Sequence, residues 1–302
     1  MTNGNDSGDQ PGGDWESPPE QPDGNGGGAD HQPPAATVGG RSYEGVHPFA
    51  DNAFDIGAFV EAAKLTFERA MDSNVLKAFI ALTLIPFAWD LFTGGTMMVA
   101  GFVSGTVAGI LGAMLTVFGL LFIPIFWAVS ATQVALQRPL AHRVFDRTVD
   151  YGSILDTIKA VLNKIVAVFF TTVLVTLGSI IGICACGVGL LIVAFFLAQA
   201  PYLVAVHDRG VIDSLQESFE RGKAHWHLVL MFFIPVIGIS VITWGAVGVG
   251  QMIAGFIPHV GYLIGPVFQW VGAVIVGVTT FILGTTAFSN IDELEGIATI
   301  DR

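Results

Sequence analysis

Residues 91–137 run for 47 positions without an Asp, Glu, Lys or Arg, and residues 165–206 for another 42. A bilayer core of roughly 30 Å is crossed by about 20 helical residues. Each run therefore holds at least one crossing, and both are too long for the core of a soluble domain. Only 13% of the 302 residues are charged, against roughly a quarter in ordinary globular chains.

The basic residues give the sidedness. Arg41, Lys64, Arg69 and Lys77 precede or just enter the first apolar run. Arg138, Arg143, Arg147, Lys159 and Lys164 share one central gap, Arg209, Arg221 and Lys223 a later one, and Arg302 ends the chain. The turns between these segments hold none. Loops that stay in the cytoplasm collect Lys and Arg. The pattern predicts three membrane hairpins with both termini cytoplasmic, in a cytoplasmic (inner) membrane of prokaryotic type. No charged-then-apolar leader opens the chain, so insertion is expected through internal helices, without cleavage.

Residues 1–50 read as a disordered tail. Positions 1–40 hold ten Gly and six Pro, and positions 1–50 hold eight acids against Arg41 alone. Such a segment buries too little to offset the entropy of ordering. It is a solvated tether, with partner recruitment as the alternative. The tail supplies more than half of the net charge of −12. That balance argues against a nucleic-acid partner, because phosphates are neutralised by Lys and Arg. Residues 51–288 form the membrane domain, and residues 289–302 read as a short acidic C-terminal tail.

Within FDIGAFVEAAKLTFERAMD (54–72), Ile56, Phe59, Val60, Ala63, Phe67, Ala70 and Met71 recur at helical spacing, with charges on the other face. This amphipathic helix is expected to lie flat at the interface or to pack on the bundle. The first crossing is 75–92, kinked at Pro86 and closed by Thr93-Gly94-Gly95. Residues 91–137 would span about 70 Å as one helix, enough for two crossings. Two would put the bases of 138–164 outside. One crossing is therefore assigned near 107–130, with 94–106 an outer loop or helical extension. The remaining crossings are 165–183, 190–206, 228–250 and 262–288.

SILDTIKAVLNK in the central gap and the Val211, Ile212, Leu215, Phe219 face in the later gap are also helical. Each hairpin thus follows a short amphipathic cytoplasmic helix. Phe67-Glu68-Arg69 and Phe219-Glu220-Arg221 hold similar places, which suggests a three-fold pseudo-repeat. The expected fold class is all-α: a polytopic membrane protein with six transmembrane helices arranged as three hairpins.

No P-loop, GxSxG elbow, HExxH zinc helix or dinucleotide fingerprint occurs in the sequence. No catalytic, cofactor-binding or metal-binding residue is assigned, and the chain is not expected to be an enzyme. Cys184 and Cys186 read as small residues at a tight turn, since a metal site needs about four ligands. His225-Trp226-His227 reads as an interfacial anchor, with metal or proton handling as the alternative. Gln199 and Gln269 read as interhelical hydrogen-bonding groups. Gly101, Gly105 and Gly109 form a GxxxGxxxG row that lets helices approach closely. Intramolecular packing is the first reading of that row and homodimerisation the second. Asp90 is the one acid inside a crossing. It is expected to reach the outer headgroups beside Trp89, unaccompanied by a set of buried charges.

The central loop and middle hairpin lead into PYLVAVHDRGVIDSLQESFERGKAHWHLVL (201–230). This run joins a helix-ending Pro201, a basic–glycine turn, an amphipathic stretch from Asp213 through Ser218, and a membrane-entering aromatic. It resembles the uncharacterised YciC-like six-helix membrane proteins and the related membrane domain attached to some bacterial glycerophosphodiester phosphodiesterases. Asp213-Ser214 stand where that family usually has Ala, and Cys184-Ala185-Cys186-Gly187 replaces its proline–glycine turn. The resemblance covers about residues 54–288 and implies topology but no activity, and the phosphodiesterase domain itself is absent. The reading is a non-enzymatic scaffold or accessory for membrane or envelope organisation. Its expected partners are the lipid bilayer and a membrane protein or a second copy. The alternative, a small-solute transporter or channel, rests on the repeats and on crossings broken at Pro86, Pro124, Pro235 and Pro266.

Overall fold

A computed structural model describes residues 56–100, 105–145, 151–184, 188–257 and 261–295. The tail expected over 1–50, together with Gly101, Arg147, Cys186 and the end of the chain from 296, lies outside the described residues. Those described form ten helices and no strand: α1 (Ile56–Asp72), α2 (Asn74–Ala100), α3 (Gly105–Ala135), α4 (Gln137–Phe145), α5 (Ile154–Cys184), α6 (Val188–Leu197), α7 (Ala200–His207), α8 (Val211–Ala224), α9 (Trp226–Gly255) and α10 (Gly261–Leu294). Five of them (α2, α3, α5, α9 and α10) are long and apolar enough to cross a membrane. The sixth run is divided between α6 and α7. The chain is an all-α, multi-pass membrane protein.

Several boundaries move. Thr93-Gly94-Gly95 does not close the first crossing, because α2 continues to Ala100. Glycine is tolerated in a helix shielded from water. Pro86, Pro124, Pro235 and Pro266 all sit inside continuous helices. The break comes instead at residues 198–199, just before Pro201 in the first turn of α7. Proline has no N–H for the carbonyl four residues earlier, that of Leu197. At the adjacent carbonyl Ser218 of α8 donates to Phe196 O at 2.8 Å.

The middle amphipathic stretch is not a separate helix. Ser153 and Asp156 close a capping box, Ser153 Oγ accepting from Asp156 N at 3.2 Å and Asp156 Oδ2 from Ser153 N at 3.3 Å. From there α5 runs unbroken into its crossing. The pseudo-repeat nevertheless has a counterpart in burial. Thr66 and Ala70 of α1, Thr157 and Val161 of α5, and Ser218 and Gly222 of α8 are buried pairs at the same four-residue spacing. Phe67 and Phe219, which follow the first member of their pairs, both face outward.

Packing is uneven along the membrane normal. One end, called here the basic end, gathers the start of α2, the ends of α3 and α10, the starts of α5 and α9, and all of α4, α7 and α8. Here the core is dense: Leu136, Leu140, Tyr202, Leu203, Leu228 and Ile291 are buried. Toward the opposite end the helices present Leu121, Ile181, Ile242 and Met252 outward, as a surface facing lipid does. Gly182 and Gly189 hold α5 and α6 together there. A Cβ on Gly182 would lie 2.5 Å from the Gly189 carbonyl carbon, so any side chain would force the hairpin apart.

The Gly105 and Gly109 members of the glycine row do not pack inside the bundle. A Cβ at either would meet nothing within 4 Å. The close approach expected of them is not made among the described residues, because α3 turns this face away from α2 and α5.

Candidate functional site

The described residues build one extended polar constellation at the basic end, and α8 positions it. In water an amphipathic helix turns its apolar face inward. Here α8 buries Ser214, Ser218, Arg221 and Gly222, while Ile212 and Phe219 share its exposed side with Asp213, Gln216, Glu220 and Lys223. A charge carried inward on that face needs partners within the protein. The small residues Ser218 and Gly222 let α8 lie directly on the α6–α7 break, Gly222 within van der Waals reach of Phe196. Arg221, on the same face, is thereby carried to the junction of α7, α8 and α10.

There the guanidinium directs all three nitrogens at carboxylates. Nη1 lies 2.8 Å from Asp292 Oδ1, Nη2 2.7 Å from Glu217 Oε1, and Nε 3.1 Å from Glu295 Oε2. Asp292, 1% exposed, is equally saturated. Its Oδ2 accepts from Tyr202 OH at 2.8 Å and lies 2.8 Å from His207 Nε2. Arg209 holds the second oxygen of Glu217 at 2.9 Å, and His225 Nε2 lies 3.2 Å from Glu295. Two guanidiniums thus face three carboxylates, with the imidazoles of His207 and His225 placed against the excess negative charge. Beside this network, Asp208 ends α7 with a left-handed backbone, φ 57°. It joins Arg138 of α4, at 2.9 Å, to Lys164 of α5.

Most of the residues singled out from sequence lie among those described. His225 joins the ion network, His227 is buried and Trp226 faces outward, so Trp226 alone is positioned as an anchor. Asp90 and Trp89 have different surroundings. Trp89 stacks on Phe122 at 4.2 Å between centroids. Asp90 instead shares a cavity of about 410 Å³ with Thr93, Gln251 and Gln269 at the end opposite the ion network. Gln269 is thus near a carboxylate. Gln199 is buried at the α6–α7 break, and its Nε2 has no partner among the described residues. Cys184 ends α5, and nothing is described of the Cys186 turn.

Buried charges therefore do form a set, but far from Asp90. The decisive member, Asp292, falls by sequence in an acidic tail beginning at 289. α10 in fact runs on to Leu294. The missed signal is periodicity: Ile291 continues the apolar spacing of Phe288 past the end assigned to the last crossing, and Asp292 and Glu295 follow at three-residue spacing on a helix face.

Comparison with protein-family models, with curated proteins and with solved structures finds no match. The site is accordingly described by its geometry alone.

Removing one member of a buried ion set strands the others. Arg221→Leu is expected to cost about 3–5 kcal/mol, and Arg221→Lys to restore only part, since an ammonium cannot fork to three carboxylates. Unfolding of the detergent-purified variants, by heat or by denaturing surfactant, measures this. Wild-type stability in Arg221→Leu would show that the fork does not hold the fold.

Proposed function

We propose that this chain is a non-enzymatic membrane scaffold that presents the open glycine face of α3 to another transmembrane helix, from a second copy or a partner protein. One observation carries the reading: Gly105 and Gly109 face outward, and a Cβ added to either would have open space for 4 Å around it. Small residues along a helix face let a second helix approach closely, and packing drives association where lipid removes the hydrophobic effect. The ion network supports the same role. Buried ion pairs that saturate Arg221 and Asp292 hold the elements they join in register, and here they tie α7, α8 and α10 into one platform. The resemblance to YciC-like proteins belongs to this proposal, as does a place in a cytoplasmic membrane with the basic end inside.

The expected orientation is open to labelling. In a variant without Cys184 and Cys186, a single cysteine at Phe256 should react with an impermeant thiol reagent in intact cells. One at Lys223 should react only after permeabilisation. The opposite result would invert the topology.

The scaffold reading is tested with Gly109→Leu. Open space at this position predicts unchanged melting, while cross-linking in native membranes should lose the partner band seen for wild type. An unchanged band would remove α3 as the docking face.

A second reading, a small-solute transporter, is favoured by the Asp90, Gln251 and Gln269 cavity and by the broken α6–α7 crossing with its unpaired Gln199 amide. Discontinuous helices commonly build substrate sites in transporters. The measurement is uptake of candidate solutes into proteoliposomes. Under the scaffold reading Asp90→Asn and wild type give the same background flux. A flux above background in wild type that Asp90→Asn abolishes, with melting unchanged, would replace the scaffold with the transporter.

A further inference from the structure

α1 leans against α10, where Thr286 Oγ1 donates to Thr66 Oγ1 at 3.0 Å, and it stands away from α9. The gap is an apolar groove of about 570 Å³. Val60, Ala63 and Phe67 of α1 form one wall, Ile234 and Pro235 of α9 the other, and Ile282 of α10 the floor. Its α9 wall extends from Met231 to Ile239, about 7 to 20 Å along the helix from its start at Trp226. That stretch, about 12 Å long, is comparable in length to one leaflet, half of a core roughly 30 Å thick.

The rim carries a charge pattern. Lys64 lines the mouth, and Glu61 and Glu68 lie three residues before and four after it, on the same side of α1. All three are exposed, and none is ion-paired among the described residues. An anionic headgroup at Lys64 would meet two carboxylates for one ammonium. A headgroup holding a phosphate and an ammonium side by side meets an opposite charge at each.

We propose that this groove is a binding site for one zwitterionic aminophospholipid, phosphatidylethanolamine. An acyl chain lies along Val60, Ala63 and Ile234, the phosphate is held by Lys64, and the ammonium is held by Glu61 or Glu68. The ethanolamine ammonium donates hydrogen bonds that a carboxylate accepts, which a quaternary choline cannot do. The site is separate from the α3 face and does not depend on the scaffold reading.

Native mass spectrometry of the full-length protein, purified in mild detergent and mixed with phosphatidylethanolamine, phosphatidylcholine or phosphatidylglycerol, tests the assignment. One phosphatidylethanolamine adduct should survive activation that strips the other two lipids. Ala63→Trp should fill the groove and abolish that adduct. Lys64→Gln, at an exposed position that leaves the fold alone, should weaken it about three- to tenfold. Glu61→Gln with Glu68→Gln should raise phosphatidylglycerol retention to match phosphatidylethanolamine. Equal retention of phosphatidylglycerol by wild type would overturn the proposal, as would an adduct indifferent to both Ala63→Trp and Lys64→Gln. A photo-crosslinker at Val60 that captures a second copy or another protein in place of lipid would overturn it too.

Discussion

The fork of Arg221 onto Asp292, Glu217 and Glu295 is the interaction on which the basic end depends. A guanidinium 5% exposed beside a carboxylate 1% exposed is tolerable only because every nitrogen and both Asp292 oxygens have partners. Taking such ions out of water costs several kcal/mol each, so the network does not act as a simple glue. Its effect is positional. Tyr202 and His207 come from α7, Arg221 from α8, and Asp292 from α10, and a shift of any one leaves a buried charge without its partner. The three helices are therefore fixed in register by the cost of misplacing them.

The same constraint orients α8 and, in milder form, α1. Both carry apolar residues at helical spacing, and both turn part of that apolar face outward: Val60, Phe67 and Met71 on α1, Ile212 and Phe219 on α8. Their inner faces are made largely of small or hydrogen-bonding residues. An apolar stripe alone does not reveal which side packs. Polar satisfaction helps to decide it, because a buried charge or carbonyl must find its partners within the protein. The Ser218 bond to Phe196 O repeats the logic at the scale of one carbonyl. The broken α6–α7 crossing persists because a neighbouring helix completes it.

Much of the fold is legible from charge and run length. The uncharged stretches locate the crossings, and basic residues mark the ends that meet, as the links from Arg138 and Lys164 to Asp208 illustrate. The helix breaks are harder to read. Four prolines inside long helices leave them continuous, whereas Pro201, whose neighbourhood includes Ser218 and Gly222 from a later segment, coincides with the discontinuity. That distinction depends on a contact 22 residues away in sequence. The site is less legible still. Arg221 stands out among the basic residues of its gap, but Asp292 falls within an apparent tail. Nothing local reveals that a carboxylate just beyond an uncharged run is the most buried acid in the network. Periodicity through Ile291 extends the helix, yet the identity of its partners comes only from how α7 and α8 fold back.

The two ends of the bundle then follow from one asymmetry. Ion pairing and small-residue contacts consolidate the basic end, where α4, α7 and α8 fill the space between crossings. No equivalent group of short helices is described at the other end. There the crossings rely on close backbone approach, as at Gly182 and Gly189, and leave other faces to the bilayer. The open surfaces lie outside the consolidated region or on its margin: the α3 glycine face beyond it, and the α1–α9 groove where α1 leans on α10. A rigid platform with lipid-accessible faces around it can hold a helix or a lipid without rearranging its charges. Passage of a solute across the bundle would instead require the Arg221 network, or the packing around α7, to open at the basic end. Every step of such opening strands a buried ion, and this is the physical reason the scaffold reading ranks above the transporter.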